Sequence, residues 1–194
     1  MTEPSGVTVL HVCMGNICRS PMAERLMRHR LDEAFGAAAA EVRCAGAGTY
    51  GGHAGEGMNP PAARVLAEQG VDPSDFAATA LQPGLALSAD LILTATADQV
   101  RTVGRLAPSA APRAFALLEF AALADRVGPV AAPTPGAAVL ALTAAAGQAR
   151  AATGAQVGAD VPDPWGEPLD VFRATRDLID DAVVRIVAAL SVAG

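Results

Sequence analysis

Lysine is missing from this chain: all 14 basic residues are arginine. Its absence excludes a Gly-Lys-Ser/Thr nucleotide loop, a lysine Schiff base and pyridoxal-phosphate chemistry. Cysteine is scarce, and the count of three is odd, which argues against a disulfide framework. Aromatic residues make up 4%, with a single Trp and a single Tyr, so the position of each carries weight. The charge balance is acidic, at −6 net, and the arginines are spread along the sequence, so no nucleic-acid surface is expected. His11, His29 and His53 lack metal-ligand spacing; neither a metal nor another cofactor is expected. Long, dense apolar runs are also wanting. Val127 to Ala149 is free of charge, yet it is broken by Pro129, Pro133 and Pro135 and is otherwise mostly alanine, so no membrane span is expected. The N-terminus lacks the basic region and apolar core of a secretory leader, which makes the cytoplasm the expected location.

What is present is the composition of an ordered globular chain, 52% apolar over 194 residues, enough for one ordinary domain. The informative segment is Val12-Cys13-Met14-Gly15-Asn16-Ile17-Cys18-Arg19-Ser20-Pro21. Before it, Val7 to Val12 reads as a β-branched buried strand. After it, Pro21 suits a first helical turn, and Ala23, Met27, Leu31 and Ala34 recur at helical spacing. Gly15 and Asn16 are residue types that tolerate positive φ, as a tight anion cradle demands. Loop amides, a helix N-terminus and the planar fork of Arg19 can converge on an oxyanion. Cys13 would sit beneath that anion in a field that favours its thiolate, the arrangement covalent phosphate-ester hydrolysis requires.

Cys13 to Pro21 resembles the signature loop of the low-molecular-weight protein tyrosine phosphatases, Cys-x-Gly-Asn-x-Cys-Arg-Ser-Pro. Asp163-Pro164-Trp165 resembles the family's Asp-Pro-aromatic triplet, and Cys44 to Tyr50 is similar to its Ser-Ala-Gly-Thr-aromatic stretch. The likeness covers about residues 7–120 and 160–192. It implies hydrolysis of a phosphotyrosine protein or another phosphate monoester through cysteinyl phosphate at Cys13. Arg19 would hold two equatorial oxygens, Met14, Gly15, Asn16, Ile17, Cys18 and Ser20 would complete the phosphate cradle, and Asp163 would be the general acid. Asn16 would hold the loop's shape, and Ser20 would either donate to the Cys13 sulfur or simply cap the helix. Tyr50 and Trp165 would wall an aromatic substrate, with core packing the plain alternative for Trp165. Cys18 would pair reversibly with Cys13 or pack the loop; Asp160 is the rival acid.

Strand-like and helix-like runs alternate, so the fold expected is α/β: a single domain, 1–194, with a four-stranded parallel sheet flanked by helices on both faces. The phosphate loop lies between the first strand and first helix. An Ala/Pro-rich insertion is expected at about 121–160, with a helix over 137–152 or else a mobile lid. In the tail, Phe172, Thr175, Ile179, Ala182, Val183, Ile186 and Leu190 form an apolar helical stripe, with Arg173, Arg176, Asp177 and Asp180 opposite. Two rival functions use the same loop: arsenate reduction resolved by an external small thiol, and non-catalytic binding of a phosphorylated partner. Phe76 to Leu81 lacks the basic residues that relatives often carry, which puts substrate preference in question.

Overall fold

A computed structural model describes residues 6–153 and 160–192. Four strands, β1 (Val7–Cys13), β2 (Val42–Gly48), β3 (Leu91–Thr94) and β4 (Ala114–Ala116), form a wholly parallel sheet in the order β2-β1-β3-β4. The chain winds to one side of β1 for β2 and to the other for β3 and β4. The carboxyl end of β1 is therefore the switch point at which such sheets bind ligands. This is the expected sheet.

Alternation along β1 separates two apolar layers. Val9 and Cys13 face the larger one, built with α1 (Arg19–Phe35), α2 (Pro60–Ala67), α5 (Leu117–Val127), α6 (Pro135–Thr153) and α7 (Leu169–Ala188). Leu10 and Val12 face the smaller, with α3 (Pro83–Ser88) and α4 (Ala97–Leu106). In α1, Ala23, Met27 and Leu31 are buried as their spacing predicts, but Ala34 is exposed, while the neighbouring Phe35 packs against the core. In α7, Phe172, Thr175, Ile179, Ala182, Val183 and Ile186 are buried.

Two details of the tail differ from expectation. Arg176 is buried, not on the polar face: its guanidinium donates to the Val65 carbonyl at 2.9 Å and to Asp177, which satisfies the charge inside the α2–α7 seam. Leu190 lies past the helix in β6 (Leu190–Val192), which pairs in parallel with β5 (Val130–Ala132) as a separate two-stranded sheet.

The expected insertion is also more structured at its start than its composition indicates. Residues 121–127 belong to α5, whose Phe120, Ala121, Leu123 and Ala124 are core, and the expected helix is α6; residues 154–159 lie outside the described part. Arg150 fastens α6 to the sheet, stacking 4.0 Å above the Phe115 ring and donating to the Ala114 carbonyl at 2.7 Å.

His11 stands between Val9 and Cys13 on the larger core face, 1% exposed, with no hydrogen-bond partner for either ring nitrogen. Burial lowers its pKa from 6.5 to about 3. Between those values the unfolded chain binds a proton that the folded chain refuses, so stability falls as pH drops through the window. His11→Phe should remove up to about 4 kcal/mol of the stability lost between pH 7 and pH 3. Urea unfolding of both proteins at several pH values checks this; equal acid losses would contradict it.

Candidate active site

Cys13 ends β1, and the loop to Arg19 is shaped by backbone bonds on its outer side. The carbonyls of Cys13, Met14 and Ile17 accept from Thr49 N (3.0 Å), Tyr50 N (2.8 Å) and Asn59 N (2.9 Å). Because peptide units are planar and trans, the N–H groups of Met14, Gly15 and Cys18 then turn the opposite way, into the cup. Asn16 makes the sharp turn at φ 55, and its side chain locks it there: Nδ2 donates to Ser20 Oγ at 2.9 Å, and Oδ1 accepts from Thr79 N at 2.8 Å. Gly15 does not use positive φ, contrary to expectation; a Cβ there would lie 3.0 Å from His53 Cδ2, so room is what glycine provides. Gly48 is tighter still, since a Cβ would meet the loop backbone at Met14 O, 2.7 Å, and Gly15 C, 2.8 Å.

The Cys13 sulfur accepts two hydrogen bonds, from Ser20 Oγ at 3.0 Å and from Asn16 N at 3.2 Å. Ser20 therefore bonds the sulfur and does not cap the helix; Cys18 is the N-cap residue and makes no side-chain cap. Arg19 is buried, with Nη1 on the Val161 carbonyl at 3.2 Å and Nη2 on Asp163 Oδ2 at 2.5 Å. Its Nε has no partner and remains available to an anion. The acid loop is tethered at the sheet's edge: Val161 N donates to the Ala95 carbonyl at 2.8 Å, and Gly166 at φ 83 turns the chain after Trp165.

These residues enclose a cavity of about 110 Å³ lined by Cys13, Met14, Gly15, Ile17, Cys18, Arg19, Asp163, Tyr50, Trp165 and His53. All but His53 are residues singled out in the sequence, and Asn16 and Ser20 support the floor from behind. His53 came as an addition. Its ring meets Tyr50 edge-on at 5.7 Å, and its Nδ1 lies 2.9 Å from Glu56; the signal that could have pointed to it is its place three residues after Tyr50, across a Gly-Gly turn. Tyr50 and Trp165 stand at the rim, 58% and 62% exposed, so Trp165 is not core packing. Asp160 lies off the cavity and accepts from Ala97 N at the start of α4.

Cys18 and Cys44 are free thiols. Burial, with help from Cys13 and Asp163, pushes Cys18 up to about 12, and burial pushes Cys44 up to about 12. A larger groove of about 770 Å³ runs between α3 and α6, but its arginines, Arg113 and Arg150, are spent on backbone carbonyls. Among the described residues no group of His, Cys, Asp and Glu has metal-binding geometry, and no helix is long and apolar enough to cross a membrane.

A cysteine whose sulfur accepts two hydrogen bonds, at the end of a parallel strand and in one cavity with an arginine and a carboxyl, is the centre of this site. The sequence model for low molecular weight phosphotyrosine protein phosphatases matches residues 8–136, and the chain belongs to that family. The matched range, 8–136, includes α5 and so reaches past the start of the expected insertion. The chain is 42% identical over 101 residues to a low molecular weight protein-tyrosine-phosphatase of Streptomyces coelicolor, covering 52% of this chain and 60% of that one. It is 38% identical over 113 residues to a probable phosphatase of the same class, EpsP, from Ralstonia solanacearum, covering 58% and 72%. The crystal structure of the low molecular weight protein tyrosine phosphatase from T. tengcongensis superposes with a TM-score of 0.70 at 25% identity, over 94% of this chain and 98% of that one.

The contact at Gly48 gives a direct test of the cradle. Gly48→Ala should displace the loop backbone and weaken sulfate binding at least about tenfold, read from Trp165 fluorescence. Unchanged affinity would show that the loop can move aside at no cost.

Proposed function

We propose that this chain hydrolyses phosphate monoesters of the phosphotyrosine type through a cysteinyl phosphate. The observation that carries this reading is the pair of hydrogen bonds aimed at the Cys13 sulfur inside a cavity that also holds Arg19 and Asp163. The thiolate of Cys13 attacks phosphorus, and the bond from phosphorus to the phenolic oxygen breaks. Asp163 gives its proton to that oxygen, so the leaving group departs as a neutral phenol. Arg19, through Nε and an Nη freed from Asp163, and the amides of Met14, Gly15 and Cys18 hold the three equatorial oxygens. In the second step Asp163 takes a proton from water, the water oxygen attacks phosphorus, and the sulfur leaves as thiolate stabilised by Ser20 Oγ. Inorganic phosphate is released, and the enzyme is returned unchanged.

The rim favours an aromatic ester. Cys13 is 2% exposed at the cavity floor, while Tyr50 and Trp165 offer ring faces at its mouth, so a flat ring between them reaches the sulfur with its phosphate. The physiological substrate on this reading is a phosphotyrosine-bearing protein, and the cytoplasm is the compartment where reduced Cys13 persists. Arsenate reduction is not favoured. The relatives compared are named as protein-tyrosine-phosphatases, which supports ester hydrolysis over the version resolved by an external small thiol. The binding-only alternative would leave Asp163, placed on Arg19 over the sulfur, without a role.

Cys13→Ser should abolish p-nitrophenyl phosphate turnover, by at least about 1,000-fold, and retain sulfate binding, because the loop amides and Arg19 remain. Asp163→Asn should slow phenyl phosphate about 100-fold, and p-nitrophenyl phosphate, whose leaving group needs less proton help, much less. Equal losses on the two esters would remove Asp163 from the role of acid.

A further inference from the structure

Behind the phosphate loop lies a carboxyl that the proposed chemistry does not use. Glu24 sits on α1 one turn after Ser20, and its side chain turns inward over β2. The slot it occupies is defined by Gly46: a Cβ there would lie 2.6 Å from Glu24 Oε2 and 2.6 Å from Asn16 Nδ2. The carboxyl and the amide that locks the loop thus converge on one point, which only a glycine leaves open. His11 is the register partner of Gly46 across β1–β2 and shares that face. Among the described residues Glu24 has no hydrogen bond and no ion pair within 4 Å, although it is half-buried.

The charged groups around it leave it unneutralised. On its own helix, Arg25 is spent on the carbonyls of Ser74 and Asp75, and Arg28 on Asp32 and the carbonyls of Ala39 and Val42. On β2, Arg43 is exposed and Cys44 is a neutral thiol; on β1, His11 is held neutral by burial. Burial raises Glu24 from 4.5 to about 7, against a smaller pull downward from Arg25 and Arg43.

A second negative charge placed in the cup, whether thiolate or bound dianion, is transmitted to this carboxyl through low-dielectric packing and through Asn16. We propose that Glu24 is a positioning residue of the phosphate loop, a proton store behind Asn16 that takes up a proton from solvent as the loop takes up a dianion. The neutral carboxyl removes the opposing charge and leaves the Asn16 amide to Ser20 and Thr79. Release of the anion returns the proton. This rests on the phosphatase reading for its biological meaning, but its test does not need turnover.

The test uses the Cys13→Ser protein, which lacks the thiol in the cup, and sulfate, which keeps its charge across the range. Sulfate affinity is read from Trp165 fluorescence between pH 6 and pH 8, with and without Glu24→Gln. Affinity should fall about tenfold more over that range in the protein that retains Glu24. At pH 6 the two proteins should bind sulfate alike, and at pH 8 the Gln variant should bind about tenfold more tightly. Every other ionisable group is common to the two proteins and cancels in the comparison at each pH. Parallel profiles would overturn the proposal, even if the wild-type enzyme proves an active phosphatase. Conversely, a step lost with Glu24 sustains it even if no phosphatase activity is found. If the Gln variant does not fold, the carboxyl carbon of Glu24, followed by NMR in the Cys13→Ser protein, decides: sulfate must raise its titration midpoint, and an unmoved midpoint refutes the proposal.

Discussion

The backbone turn at Asn16 is the constraint on which the site depends. A residue other than glycine at φ 55 is conformationally costly, by about 1 kcal/mol, and it persists because its side chain is bonded at both ends. One end holds Ser20 Oγ, which then has its own proton to give to the Cys13 sulfur. The other holds Thr79 N, fixing the loop to the segment that follows α2. The same turn delivers Asn16 N to the sulfur from the opposite side. The Cys13 sulfur, the loop and the helix start are thereby set by one side chain that is 1% exposed and does not line the cavity.

The second half of the site comes from far along the chain and is joined through Arg19. Its two Nη groups bind Val161 and Asp163, so one guanidinium spans from the first helix to the acid loop across more than 140 residues. Val161 and Asp160 anchor that loop to the ends of β3 and α4. α6 and the β5–β6 pair attach away from it: Arg150 ties α6 to β4, and β6 follows α7, which leaves the carboxyl edge of the sheet open.

Much of this was legible in the sequence because the chemistry is local. Cys13, Arg19 and Ser20 lie within one loop between a strand and a helix, so their proximity could be read from spacing alone. Strand β1 was legible from its β-branched run, and the parallel sheet from the alternation of strand-like and helix-like runs. What escaped was set by tertiary contact. The burial of Arg176 follows from a carbonyl on another helix, Val65 on α2. Residues 121–127 looked like spacer because alanine serves a tight helix seam as readily as a loop. His53 carries no motif, and Glu24 reads as one more helical carboxylate until Gly46 opens a slot for it. Glycine at position 15 illustrates a right residue with the wrong reason: space, not backbone angle, decides it.

The account turns on a covalent phosphorus–sulfur bond at a single residue. Rapid quenching of the wild-type protein during turnover of an aryl phosphate, followed by mass spectrometry of the peptide that ends at Arg19, reads it directly. The mass of one phosphoryl group should appear on Cys13, build up in the millisecond phase and disappear as substrate is exhausted. Phosphorylation on Cys18 or on a hydroxyl, or turnover with no phosphorylated peptide even when the second step is slowed at low pH or temperature, would contradict the assignment of Cys13 as the nucleophile.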